Sequence, residues 1–224
     1  KKEETKPMGK IVYLSPSTQE NNIGSVAGYI EETEMNLIAD LIEPELKRHG
    51  ITVYRNKPEM TLTQVITDSN AKKPNLHLAV HSNAHGASTV NKIARGCVVC
   101  VYQTGTNSEV WAKRILTEMG KIQPFSNMPS KPSIMPGLAE TKNTSATAVI
   151  VEVDFHDNAG AVWIQANRQA IANAIVKATV EQLGITYIPS STIGNTGISP
   201  GDSGPAGSAW YEAAQKWVIE KKIS

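Results

Sequence analysis

The stretch L-H-L-A-V-H-S-N-A-H-G, residues 76–86, decides the architecture. Leu76, Leu78 and Val80 alternate with His77, Ala79 and His81, so a strand here turns an aliphatic stripe to one side of a sheet and two imidazoles to the other. Apolar runs rich in β-branched residues recur at 11–14, 51–54, 97–102 and 148–153. Helical periodicity fills most of the gaps. Residues 32–49 place Met35, Ala39, Ile42 and Leu46 on one face and end at Gly50, a natural C-cap, and further helices are expected near 59–70, 108–121 and 159–183. The alternation predicts an α/β fold with a mixed, mostly parallel sheet flanked by helices. Residues 125–143, with several prolines and little periodicity, read as a long surface loop near the site.

At 224 residues, with 40% hydrophobic and 19% charged side chains, the chain can bury one good-sized core. Basic and acidic residues nearly cancel, 22 against 21 for a formal +1, so no global field would hold the protein on nucleic acid or an anionic membrane, and neither is expected as a partner. No window approaches the ~18 apolar residues of a membrane span, and the lysine-rich residues 1–10 lack the apolar core of a secretory signal. Cys97 and Cys100 stand three apart in an expected strand, on opposite faces, where a disulfide is geometrically poor; they read as small core hydrophobes. After Ile185 the composition changes. Of the twenty residues 188–207, fourteen are Gly, Pro, Ser or Thr, so 187–207 reads as a flexible linker after a folded unit at 10–186. Residues 208–224 regain helical character, with Trp210, Ala214, Trp217 and Val218 on one face, and read either as the start of a C-terminal module or as a helix that docks on the main domain.

In open α/β sheets ligands bind beyond the carboxyl ends of the strands. Three polar features fall there: the loop after the first strand, with Ser15, Ser17, Thr18, Gln19, Asn21 and Asn22; His81; and Glu152, at the far end of A-V-I-V-E-V-D-F. Glu32 adds a fourth, a carboxylate heading the buried stripe of the first helix. Each also has a plain structural reading. Glu32 suits a helix N-terminus electrostatically, His81 suits a satisfied buried histidine, and Glu152 suits a structural ion pair. Together, two carboxylates and an imidazole suggest a zinc hydrolase site with two protein ligands, a third still needed, and a general base.

The combination of E-x-x-x-N at Glu32 to Asn36, H-S-N-A at His81 to Ala84 and V-E-V-D-F-H-D-N at Val151 to Asn158 resembles the zinc-dependent N-acetylmuramoyl-L-alanine amidases that cut bacterial peptidoglycan. Order and spacing fit over residues 10–185. The resemblance implies zinc as cofactor, with Glu32 and His81 as metal ligands and Glu152 as the catalytic glutamate. The family keeps its first metal histidine after the first strand. Here that place holds Gln19, with Asn21 as the alternative, and no histidine occurs between Lys1 and Arg48. An amide oxygen is a weaker zinc ligand than imidazole, so a second reading is a metal-poor relative that recognises wall peptides without cutting them.

The resemblance also implies a peptidoglycan partner and a secreted or wall-associated autolysin or phage lysin; the sequence does not set the oligomeric state, and a monomer is favoured. Residues 208–224 are faintly similar to the first helix of repeats that anchor proteins to cell walls. His85 is an alternate third ligand, and His77, about 6.5 Å further down the strand, reads as core or as support for the site. His156 and Asp157 either orient the site or begin the next loop. No glycine-rich phosphate loop follows any strand, which argues against a nucleotide-binding protein.

Overall fold

The computed structural model describes residues 9–86, 93–123 and 128–190. The chain runs β1 (Ile11–Pro16), α1 (Glu31–Arg48), β2 (Thr52–Arg55), α2 (Leu62–Lys72), β3 (Leu76–Asn83), β4 (Val98–Val101), α3 (Asn107–Gly120), β5 (Ser133–Ile134), α4 (Ala139–Asn143), β6 (Thr147–Phe155) and α5 (Gly160–Gln182). These strands form one six-stranded sheet in the order β2-β1-β3-β6-β4-β5. β2, β1, β3 and β6 are parallel, β4 runs antiparallel to β6, and β5 pairs parallel with β4. The mixed, mostly parallel sheet expected from the sequence is the one observed.

Register makes the two sheet faces unlike. Leu78 lies opposite Leu14 and Val149, and Val80 opposite Val151, so aliphatic side chains stack across three neighbouring strands. This face belongs to the main core, which also takes Met35, Ile38 and Ile42 of α1, Trp111 and Ile115 of α3, and Ile171 and Ile175 of α5. The other face carries Ser15, His77, His81 and Glu152 around a smaller apolar cluster of Ala79, Val98, Cys100, Met135, Leu138 and Ile150. The cysteines fall in different clusters, as their spacing predicts, and both are free and buried. Burial pushes the Cys97 thiol well above its ordinary range, so it stays a neutral core group.

Helix ends follow local chemistry. α2 starts three residues later than the periodicity suggests, because Thr61 forms a reciprocal capping box with Gln64 and fixes the N-terminus there. Gly50 adopts φ +76 directly after α1, the left-handed turn expected of it. Gly160 opens α5 under a different constraint: a Cβ there would collide with the Phe155 carbonyl oxygen.

The stretch 125–143, expected to be a long surface loop near the site, has its first three residues outside the described ones and contains β5 and α4, elements of two and five residues that are too short to leave a periodic signal. The first residues of the expected linker are docked. Tyr187 stacks on His49 at 5.3 Å, and the Ile188 N–H donates to His49 Nε2 at 3.0 Å. The helix read at 208–224, with Trp210 and Trp217, lies outside the described residues. Among those described, no helix is long and apolar enough to cross a membrane.

Candidate active site

The loop after β1 is held by the sheet and then by its own amides. The Ser17 N–H donates to the Val80 carbonyl at 3.0 Å, which carries the parallel pairing one residue past β1, and Ser17 Oγ accepts the Gln19 N–H. Asn22 is the hub. Its Nδ2 donates to Gln19 Oε1 at 2.8 Å and to Glu31 Oε2 at 2.7 Å, while its carbonyl accepts the Glu31 N–H. Glu31 Oε1 in turn lies 2.8 Å from His81 Nδ1, with Gln19 Nε2 at 3.4 Å from the same nitrogen. A carboxylate, an imidazole and an amide thus converge beyond the ends of β1 and β3.

The carboxylate in this cluster is Glu31, not Glu32 as the sequence reading placed it. Glu31 stands seven and eleven residues before Ile38 and Ile42, on whole turns of α1, and is fully buried. Glu32 is one residue off that row. It is only half-buried, with its carbonyl accepting from the Asn36 side chain. Asn21, the alternative to Gln19, is exposed and its neighbour Asn22 makes the contacts.

A second polar group lies beneath His81. Glu140 projects from α4, and its Oε1 accepts from Ser15 Oγ at 2.6 Å and from His77 Nε2 at 2.9 Å, while its Oε2 lies 3.8 Å from His81 Nε2. His77 Nδ1 is 2.8 Å from Ser69 Oγ, and the ring stacks on Tyr13, whose hydroxyl donates to Asp68. Burial pushes the Glu140 carboxyl upward, but hydrogen bonds and charge from His77 and His81 hold it well below the usual carboxylate range. His77 therefore supports the site from within the core. Glu140 escaped sequence reading because it sits in a five-residue helix inside an aperiodic stretch.

Glu152 is fully buried on β6, in register with His81 on one side and Val98 on the other, and on the same face as both. The remaining candidates brace the walls. His85 Nδ1 pairs with Asp157 Oδ1 at 2.8 Å and its Nε2 accepts the Ala94 N–H, so His85 fastens the segment after β3 and does not join the Glu31–His81 cluster. His156 bonds Ser82 and stacks on Tyr29. Asp154 accepts from Arg95 and from the Gly96 N–H.

Residues 12–181 match the protein family described as N-acetylmuramoyl-L-alanine amidase. The chain belongs to this amidase family. It hydrolyses the amide bond between N-acetylmuramic acid and L-alanine in bacterial peptidoglycan, and so degrades cell wall. The amidase shares its fold with the N-acetylmuramoyl-L-alanine amidase AmiC2 of Nostoc punctiforme, at a TM-score of 0.67 and 13% identity over 78% of this chain and 97% of that one. It is similar in the same way to the amidase from Clostridium difficile 630, at 0.67 and 14% over 79% and 97%. The catalytic domain of CwlV from Bacillus (Paenibacillus) polymyxa var. colistinus gives 0.65 and 19% over 79% and 99%. No curated protein sequence matches the amidase.

Zinc dependence is typical of this family. Among the described residues of this amidase, no group of three or more His, Cys, Asp or Glu side chains could hold a metal ion. Two strong donors do converge, Glu31 and His81, with the Gln19 amide beside them. As placed, Gln19 turns Nε2 to His81 and Oε1 to Asn22, so it offers its oxygen as a ligand only by turning the amide over and giving up the Asn22 bond. The donor set is therefore compatible with a metal, with one ligand weaker than imidazole.

Proposed function

We propose that the amidase works with Glu152 as general base and with zinc held by Glu31, His81 and Gln19. The observation that carries this reading is the convergence of Glu31 and Gln19 on one nitrogen of His81, with Glu152 the next side chain across the sheet. Zinc bound there would polarise the scissile carbonyl and acidify the attacking water. Glu152 takes the water's proton on a carboxylate oxygen and passes it to the L-alanine nitrogen as the C–N bond breaks. Its burial between β3 and β4 keeps bulk water from competing for that proton. Asn22 Nδ2, donating to Glu31 Oε2, fixes that carboxylate before substrate arrives, which lowers the ordering cost of the site.

The amide at position 19 favours one alternative, a relative that binds wall peptides without cutting them. A zinc titration run beside a cell-wall solubilisation assay separates the two. Stoichiometric zinc with peptide release is the expected result, and absence of both would overturn the enzyme mechanism. A catalytic unit over residues 10–186 suits a secreted, monomeric lytic enzyme of a bacterium or its phage.

A further inference from the structure

A pocket of about 190 Å³ opens between the polar sheet face and helices α2 and α4. It is smaller than the ~300 Å³ at which pockets for whole drug-sized ligands begin. It therefore accepts a fragment of the muropeptide. Leu62 and Val65 of α2, with Leu138 and Ile150, make the apolar wall, while Ser15, Thr18, Gln19, His81 and Glu140 make the polar one. The two walls ask for a small apolar group attached to a hydrogen-bonding one.

Glu140 supplies the direction. Its side chain is 6% exposed, and Oε1 is already committed to Ser15 and His77. A carboxylate accepts and never donates when ionised. The scissile amide has two unlike sides. Its carbonyl side becomes a carboxylate on hydrolysis, which Glu140 would repel. Its nitrogen side carries an N–H in the substrate and an ammonium in the product, and both suit a carboxylate acceptor.

We infer that the pocket between α2 and α4 is the subsite for the L-alanine end of the stem peptide, with Glu140 Oε2 accepting the N–H of the L-alanine nitrogen and the methyl group lying against Leu62, Val65 and Ile150. This assignment rests on the amidase reading and adds to it a polarity of substrate binding. Glu140 becomes a residue that selects the amine half of the substrate and holds it near His81.

The test is calorimetric titration of the full chain with L-alanyl-D-isoglutamine or with propionyl-D-isoglutamine, which keeps the small apolar end but lacks its nitrogen, in the presence of a chelator so that no metal draws the amine. The wild-type protein is expected to bind the alanyl peptide at least tenfold more tightly than the propionyl analogue. E140Q keeps an oxygen for Ser15 and His77 but turns an N–H donor to the pocket, and should bind both peptides alike. A second variant, Leu62→Trp, fills the pocket from the half-buried first residue of α2 and should weaken both peptides by tenfold or more without shifting the melting temperature. The assignment is overturned if the wild-type protein does not distinguish the peptides, if E140Q keeps the preference, or if Leu62→Trp binds as wild type. Peptide release from cell walls by the same wild-type preparation reports separately on the amidase mechanism.

Discussion

The two faces of β3 and β6 are built from alternate residues of the same two strands and have almost nothing else in common. One face is aliphatic from Leu76 to Val80 and from Val149 to Val153, and it lies under the long helices α1, α3 and α5. The other carries His77, His81 and Glu152 and is covered by α2 and the five-residue α4. Burial of apolar area stabilises the first face, at roughly 25 cal/mol per Å². On the second, buried polar groups are tolerated because partners meet them: Ser15 and His77 at Glu140, Asn22 and His81 at Glu31. The fold keeps its stability on one side of the sheet and its chemistry on the other.

The largest effect that separates the faces is catalytic. Glu152→Gln should lower turnover of cell-wall substrate by about 10²- to 10⁴-fold, the range for loss of a positioned general base. Unfolding by urea should change little, since the side chain stays isosteric. If turnover survived unchanged, the polar face would have a different base. Crossing the sheet reverses the pattern. Leu78→Ala removes a fully buried side chain from the main core and should cost about 2–5 kcal/mol of stability. Activity per folded molecule should remain near wild type, so a proportional loss in folded Leu78→Ala protein would show that the faces are coupled.

These contrasts explain how far the sequence could be read. Strict alternation in 76–86 is enough to predict which residues share a face, because side-chain period in a strand is two and burial on one face punishes any slip. The long helices announce themselves by the same logic at a period near 3.6. Phase at a helix start is harder. Glu31 and Glu32 are adjacent and chemically identical, and only the packing of Ile38 and Ile42 selects between them. Glu140 leaves no pattern at all, because a helix of barely more than one turn is positioned by its tertiary contacts and not by its own periodicity. Asn22 is similar. Its role as a bridge depends on the return of the chain from β1 to α1, which no local signal encodes.

A smaller perturbation probes the support under the polar face. Ser69 is fully buried, and its hydroxyl meets Nδ1 of His77 while Nε2 of that ring donates to Glu140. Ser69→Ala leaves the imidazole nitrogen buried without that partner and should cost about 1–3 kcal/mol in a urea titration. The loss should also loosen Glu140, so the dipeptide preference described above should fall. Destabilisation with full peptide preference would mean that His77 packs the core and does not hold Glu140 in place.

The smallest effect lies where the polar face is roofed. α2 begins at Leu62, which lines the pocket, and its first turn is held by the reciprocal bonds between Thr61 and Gln64. Thr61→Ala removes one arm of that box and should cost about 0.5–2 kcal/mol. The corresponding cap of α3, Thr106, accepts from the Glu109 N–H on a helix that covers the aliphatic face. Thr106→Ala should cost a similar amount. The two variants should nonetheless differ in function. Fraying of α2 displaces Leu62 from the pocket wall and weakens dipeptide binding, whereas fraying of α3 touches only the main core. Equal binding by both variants, at matched stability, would mean that the first turn of α2 is not part of the working site and that the division between the faces ends at the sheet itself.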